Sequence, residues 1–205
     1  MNIHNKIFER MKLDKLTESL LSGASKNWVG TPFEKYPMLS SKAKGKLGEH
    51  YVEGYMRSRF DSNVCPPTES DHDRIIDGYN TEIKFGLASS PKTAKYKIKL
   101  NSFTFNHIGC KKDWDRLIFC GINPQKKNTN IYKPEGHDWQ EINMYFMEKK
   151  DFLAYMKKKN SKSNIFAHQQ GGKKGKNDDY MVANPKKFGK LISLPFVKPI
   201  SQWGK

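Results

Sequence analysis

The dipeptide Asp77-Gly78, set inside "DHDRIIDGYNTEIKFG" (71–86), is the tightest local constraint in this 205-residue chain. A two-residue type I′ turn needs positive φ at both central positions, and Asp-Gly supplies them at little cost. With these two residues as the loop, the register follows by counting outward. Ile76 faces Tyr79, Ile75 faces Asn80, Arg74 faces Thr81, Asp73 faces Glu82 and Asp71 faces Lys84. Opposed residues share a face of the sheet, and so do alternate ones. Asp71, Asp73, Glu82 and Lys84 therefore project to one side, and Arg74, Ile76, Ile83 and Phe85 to the other. His72 points away from the acids, toward solvent or packing, and Asp77 serves the turn.

Two carboxylates placed opposite one another repel, by some tenths of a kcal/mol at an exposed site and by more when buried. A divalent cation between them reverses the sign. Asp73 and Glu82, completed by water and a phosphate oxygen, suit Mg²⁺, a hard ion that takes oxygen ligands. Lys84 then lies beside the ion, where it can steer or deprotonate an attacking water and offset phosphate charge. The reading without a metal is a surface hairpin with a cross-strand ion pair from Asp71 to Lys84. A second ExK, Glu148-Lys149-Lys150, falls in a stretch with helical spacing and no acid-bearing hairpin.

The remaining pattern gives the fold class. Helical spacing over 4–21 and a loop over 26–40 precede a second helix over 41–60. That helix is capped by Ser40 or Ser41 and buries Leu47, Tyr51, Val52, Tyr55 and Met56. Tyr96, Ile98 and Leu100 alternate, then Phe103 and Phe105. "DRLIFCGI" (115–122) is the apolar run of a central strand covered on both faces. "NIYKPEG" suggests a short strand. Residues 137–159 read as one or two helical stretches, although Ile142, Tyr145 and Phe146 would also suit a strand. Strands in the middle with helices on either side predict an α/β fold, a central mixed β-sheet flanked by helices. One domain over 1–205 is expected, with 1–40 a helical extension and 160–205 a basic C-terminal segment.

Asp73 followed by Glu82-Ile83-Lys84 on a hairpin, behind a helix carrying Glu49 in "GKLGEHYVEGYM", resembles the PD-(D/E)xK nuclease superfamily, which includes many small type II restriction endonucleases. The likeness runs over roughly residues 45–86 and on to Ile122. The motif departs from the family at its start, where "HD" stands in place of a proline and an acid, so Asp71 stays beside Asp73 as a candidate ligand; cross-strand register favours Asp73. The resemblance implies Mg²⁺-dependent hydrolysis of double-stranded DNA leaving a 5′-phosphate, a restriction-endonuclease-like fold, and a catalytic or supporting role for Glu49. Glu53, one turn on, is a weaker version of the same idea.

Charge agrees with such a substrate. Lys and Arg number 37 against 21 acids, a net charge of +16, and such a field recruits polyanions. Lys92, Lys95 and Lys97 follow the ExK strand and could track a phosphate backbone. Gln169, Gln170, Lys173, Lys174, Lys176 and Asn177 sit among glycines in "HQQGGKKGKND"; they could read base edges, or belong to a solvated loop. "MKKKNSKSN" (156–164) reads as a helix end that steers by charge. The three cysteines form no CxxC pair, so neither a zinc ribbon nor a disulfide framework is expected. No long apolar run or leader pattern is evident, which predicts a cytoplasmic protein that does not enter membranes. A homodimer would suit symmetric double-strand cutting. The rival functions are a repair or recombination nuclease with the same centre, and a basic nucleic-acid-binding protein without catalysis.

Overall fold

The structure, a computed structural model, describes residues 32–33, 36, 39–69, 71–88, 103–123, 140–158, 165–168, 179–183 and 185–204. Helix α1 (Ser41–Phe60) is followed by β1 (Val64–Cys65), β2 (Arg74–Ile76), β3 (Tyr79–Leu87), β4 (Phe105–Gly109), β5 (Arg116–Ile122) and β6 (Ile142–Glu148). Then come α2 (Lys149–Lys158), β7 (Ala167–His168), β8 (Asp179–Val182), α3 (Pro185–Ile192), β9 (Lys198–Pro199) and a 3₁₀ turn (Ile200–Gln202). The fold is α/β. A six-stranded mixed sheet runs β1-β2-β3-β5-β6-β9, and a three-stranded antiparallel sheet runs β4-β8-β7. Only β3 and β5 pair in parallel in the larger sheet.

Strand β5 is buried along its whole length between β3 and β6, as its apolar run requires. Its side chains alternate between two cores. Ile118, Cys120 and Ile122 meet Leu47, Tyr51, Val52 and Met56 of α1. Leu117 and Phe119 meet Phe105, Phe152 of α2, Val182 of β8, and Phe188 and Leu191 of α3. The main sheet is thus the middle layer, with α1 on one face and the smaller sheet with α2 and α3 on the other.

Helix α1 begins where the Ser40 hydroxyl accepts the Ala43 N–H at 3.2 Å, and it ends at Asp61, whose φ of 54° breaks the helix. Arg57 and Arg59 lie in its last turn, where the helix dipole favours cations. Its inner face comes very close to β3: a Cβ on Gly48 would lie 2.3 Å from the Phe85 Cβ. The Phe85 ring then sits 5.5 Å from Tyr51 and 5.6 Å from Tyr36, between centroids.

Over 137–159 the strand alternative is the one that forms, for residues 142–148. All seven pair with β5, from Ile122 opposite Ile142 to Arg116 opposite Glu148. Ladder bonds to a buried central strand, with Ile142, Tyr145 and Phe146 suited to a pleated surface, outweigh the local helical spacing. The helix begins only at Lys149, so the second ExK straddles a strand–helix junction. The expected 4–21 helix, the Tyr96–Leu100 alternation and the "NIYKPEG" strand lie outside the described residues.

Two glycines one turn apart in α1 test the close approach. Gly45→Ala, where a methyl meets nothing within 4 Å, should raise unfolding stability by up to ~1 kcal/mol through helix propensity. Gly48→Ala has the same gain but overlaps Phe85, and overpacking costs about 1–3 kcal/mol, so urea melts should show a net loss. A Gly48→Ala protein at or above wild-type stability would contradict this packing.

Candidate active site

The three inner pairs of the hairpin form in the register read from sequence, while the outer pairs read there, Asp73 with Glu82 and Asp71 with Lys84, are not part of the ladder. Ile76 pairs with Tyr79, Ile75 with Asn80 and Arg74 with Thr81. Asp77 and Gly78 both have positive φ, 51° and 84°, the type I′ signature. The turn is fastened from outside as well. The Asp77 carboxylate accepts the Asn63 N–H and the Trp203 indole N–H, each at 2.8 Å, and the Asp77 N–H donates to the Asn63 carbonyl at 2.8 Å.

Beyond Arg74 the strand ladder stops, and Asp73 makes the next connections differently. Its N–H donates to the Thr81 carbonyl at 3.0 Å, and its Oδ2 accepts the Ile83 N–H at 2.7 Å. A side-chain carboxylate thus takes the place of a main-chain acceptor, which holds Asp73 over β3 beside Glu82. Glu82 is 1% exposed. Its Oε1 accepts the ammonium groups of Lys84 and of Lys112, the latter at 2.8 Å. Its Oε2 is buried without a hydrogen-bond partner. Burial and then the charge of Glu82 push Asp73 up from 3.8 to about 6, with Glu49 adding to the rise; the Ile83 N–H and Lys84 pull against it. Asp73 is thus held up chiefly by burial and then by the charge of Glu82, and Lys84 stands on the Glu82 carboxylate.

Asp71 is exposed, and among the described residues Lys84 is paired with Glu82, with no cross-strand pair to Asp71. His72 is buried, with neither ring nitrogen hydrogen-bonded. Glu49 lies on the α1 side. It accepts Arg74 Nη1 at 2.7 Å and Lys46 Nζ at 3.3 Å, while Glu53 accepts Arg74 Nε at 3.1 Å and Arg57 Nε at 3.2 Å. The Arg74 guanidinium, 4% exposed, also donates to the Asp73 carbonyl at 2.6 Å. Glu49 and Glu53 thus grip the residue next to Asp73 through a buried arginine, and Glu49's hydrogen bonds go to that arginine and to Lys46 rather than into the Glu82–Lys84 cluster. Arg74 was legible in the sequence as a lone charge among isoleucines on the helix-facing side. Lys112 carried no such sign.

Among the described residues no three His, Cys, Asp or Glu side chains form a group able to hold a metal. Asp73 and Glu82 are two carboxylates, and a hexacoordinate Mg²⁺ can fill its remaining positions with water and phosphate. The donor set fits such an ion: Glu82 Oε2 is an orphaned buried anionic atom, and Asp73 commits only Oδ2 to the backbone. A cleft of about 390 Å³ opens beside Lys84, between Ser41, Lys44 and Gly45 at the start of α1 and Asn106 and His107 of β4. A larger cleft of about 570 Å³ lies at the turn end, against Tyr79, Asp115, Arg116 and Glu148. Its acids are already engaged: Asp115 accepts the Asn80 N–H at 2.9 Å, and Glu148 holds Lys150 at 2.6 Å. Of the carboxylate–lysine cluster, Lys84 lines the smaller cleft.

No family model, curated protein or solved structure matches the chain. The positions read as DNA contacts, Lys92, Lys95, Lys97, Gln169, Gln170, Lys173, Lys174, Lys176 and Asn177, lie outside the described residues. Among the described residues no helix is long and apolar enough to cross a membrane.

The raised Asp73 makes metal-free stability depend on pH. An acid whose folded value lies above its unfolded one contributes stability below the unfolded value and loses it as pH rises through the folded one. From about pH 4 to above 6, wild type should lose on the order of 2 kcal/mol relative to Asp73→Asn. Chemical melts of both proteins across that range check this, and millimolar Ca²⁺ should reduce the difference. Parallel pH profiles would mean that Asp73 is not raised by its burial and by Glu82.

Proposed function

We propose that this protein is a divalent-metal-dependent endonuclease of the PD-(D/E)xK kind, with a restriction-endonuclease-like core, acting on double-stranded DNA. The observation that carries this reading is the carboxylate pair: Asp73, held up to about 6 by burial and by Glu82, beside a Glu82 that is buried and bears Lys84. A protein keeps such a repulsive, desolvated arrangement at a cost unless a cation resolves it.

In this reading Asp73 and Glu82 would hold Mg²⁺, which would supply Lewis-acid chemistry at the phosphate. Lys84, an ammonium on Glu82, orients the attacking water and offsets charge on the phosphate oxygens. Water oxygen bonds to phosphorus as its proton passes to solvent, the P–O3′ bond breaks, the 3′-oxygen takes a proton from solvent, and the products carry a 5′-phosphate and a 3′-hydroxyl. The net charge of +16 brings the polyanion to the cleft. Glu49 and Glu53 act at one remove, through Arg74 and the Asp73 carbonyl. A homodimer would present two such centres to opposite strands.

The same centre could serve repair or recombination, and the cleavage pattern separates these jobs from sequence-specific restriction. A purely binding role fits less well, because carboxylates near phosphate weaken binding when no metal lies between them. Plasmid DNA with Mg²⁺ should be cut, into discrete bands if the enzyme is sequence-specific, and left intact in EDTA. Lys84→Ala should lower cleavage by about 10²–10⁴-fold while duplex binding persists. Salt-sensitive binding with no cleavage in Mg²⁺ or Mn²⁺ would retire the hydrolase in favour of the binding protein.

A further inference from the structure

Two ammonium groups share one oxygen of Glu82, and they are differently placed. Lys84 comes from the next position but one on the same strand, and its side chain is 12% exposed; Lys112 reaches in from the turn between β4 and β5 and is 39% exposed. That turn is built to aim Lys112. The Trp114 indole donates to the Gly109 carbonyl at 2.9 Å, and Lys149 Nζ donates to the Lys112 carbonyl at 2.6 Å. The stem of Lys112 crosses Gly109 so closely that a Cβ there would lie 3.1 Å from Lys112 Cγ. The ammonium so aimed donates to Glu82 Oε1 at 2.8 Å.

From this geometry we infer that Lys112 is a displaceable counterion, which neutralises Glu82 while no divalent cation is bound and passes to a phosphodiester oxygen once cation and DNA are both present. The inference rests on the metal-site reading of Asp73 and Glu82. One carboxylate beside a divalent ion does not need two ammonium partners, and the more exposed of the two has the freer path toward a substrate in solvent. Cation and DNA then favour each other's binding, because each satisfies a group that the other leaves unpaired.

Binding measurements without turnover test this on the full chain. Ca²⁺, a hard cation with the same oxygen preference, is titrated by calorimetry into wild type, Lys112→Met and Lys111→Met, the last removing equal charge from an adjacent exposed residue. Duplex binding is followed by fluorescence anisotropy in EDTA and in Ca²⁺. Lys112→Met should bind Ca²⁺ roughly fivefold more tightly than Lys111→Met, and bind duplex roughly fivefold more weakly in Ca²⁺ but equally in EDTA. Lys112→Arg should return both values toward wild type. If Lys112→Met matches Lys111→Met in both titrations, loses Ca²⁺ affinity, or is not rescued by arginine, the exchange is overturned. Failure of the nuclease reading looks different: wild type would show the Ca²⁺ and duplex pattern yet never cut DNA with Mg²⁺.

Discussion

The hairpin turn at Asp77-Gly78 is the constraint from which the centre follows. Two positive φ values set a two-residue loop, and a two-residue loop leaves one register. A slip of one position would send Glu82 and Lys84 into the aromatic packing under α1 and turn Ile83 and Phe85 away from it. The Asp77 carboxylate also ties the turn to Asn63 before β1 and to Trp203 near the far end of the chain. Trp203 in turn packs its ring on Phe146 at 5.0 Å. The loop that sets the register is thus braced by strands on both sides of the sheet.

Opposing electrostatics meet across that hairpin. On the α1 side a buried cation, Arg74, is matched by Glu49 and Glu53. On the other side a buried anion, Glu82, is matched by two lysines through one oxygen only, with Asp73 alongside. The first arrangement is satisfied, and its work is to hold β2 against the helix. The second leaves an orphaned oxygen and a carboxyl group displaced from its ordinary range. Buried polar groups are normally paired. A buried carboxylate with one oxygen left unpaired, beside a second carboxylate, is where a cation would change the energy most.

Much of this was legible in the residues. The Asp-Gly turn, the Ser40 cap and the uniform apolar run of β5 each rest on a local rule that tertiary contacts had no reason to override. The strand over Ile142–Glu148 was less clear, since its spacing served two periodicities and only pairing with β5 chose between them. The reach of Lys112 to Glu82 spans 30 residues and depends on a turn geometry that no short motif encodes. Arg74 could be put on a face by counting, but its two glutamate partners came from how α1 crosses the sheet. The helical acid Glu49 was legible as near the hairpin, but the arginine between it and the pair was not.

The claim beneath all of this is that Asp73 and Glu82 share one divalent ion. Crystals soaked in Mn²⁺ and measured at its absorption edge test it directly. The account predicts an anomalous peak bridging the Asp73 carboxylate and Glu82 Oε2, with Lys84 beside it. An ordered, intact pair of carboxylates with no peak between them at millimolar Mn²⁺ would contradict it.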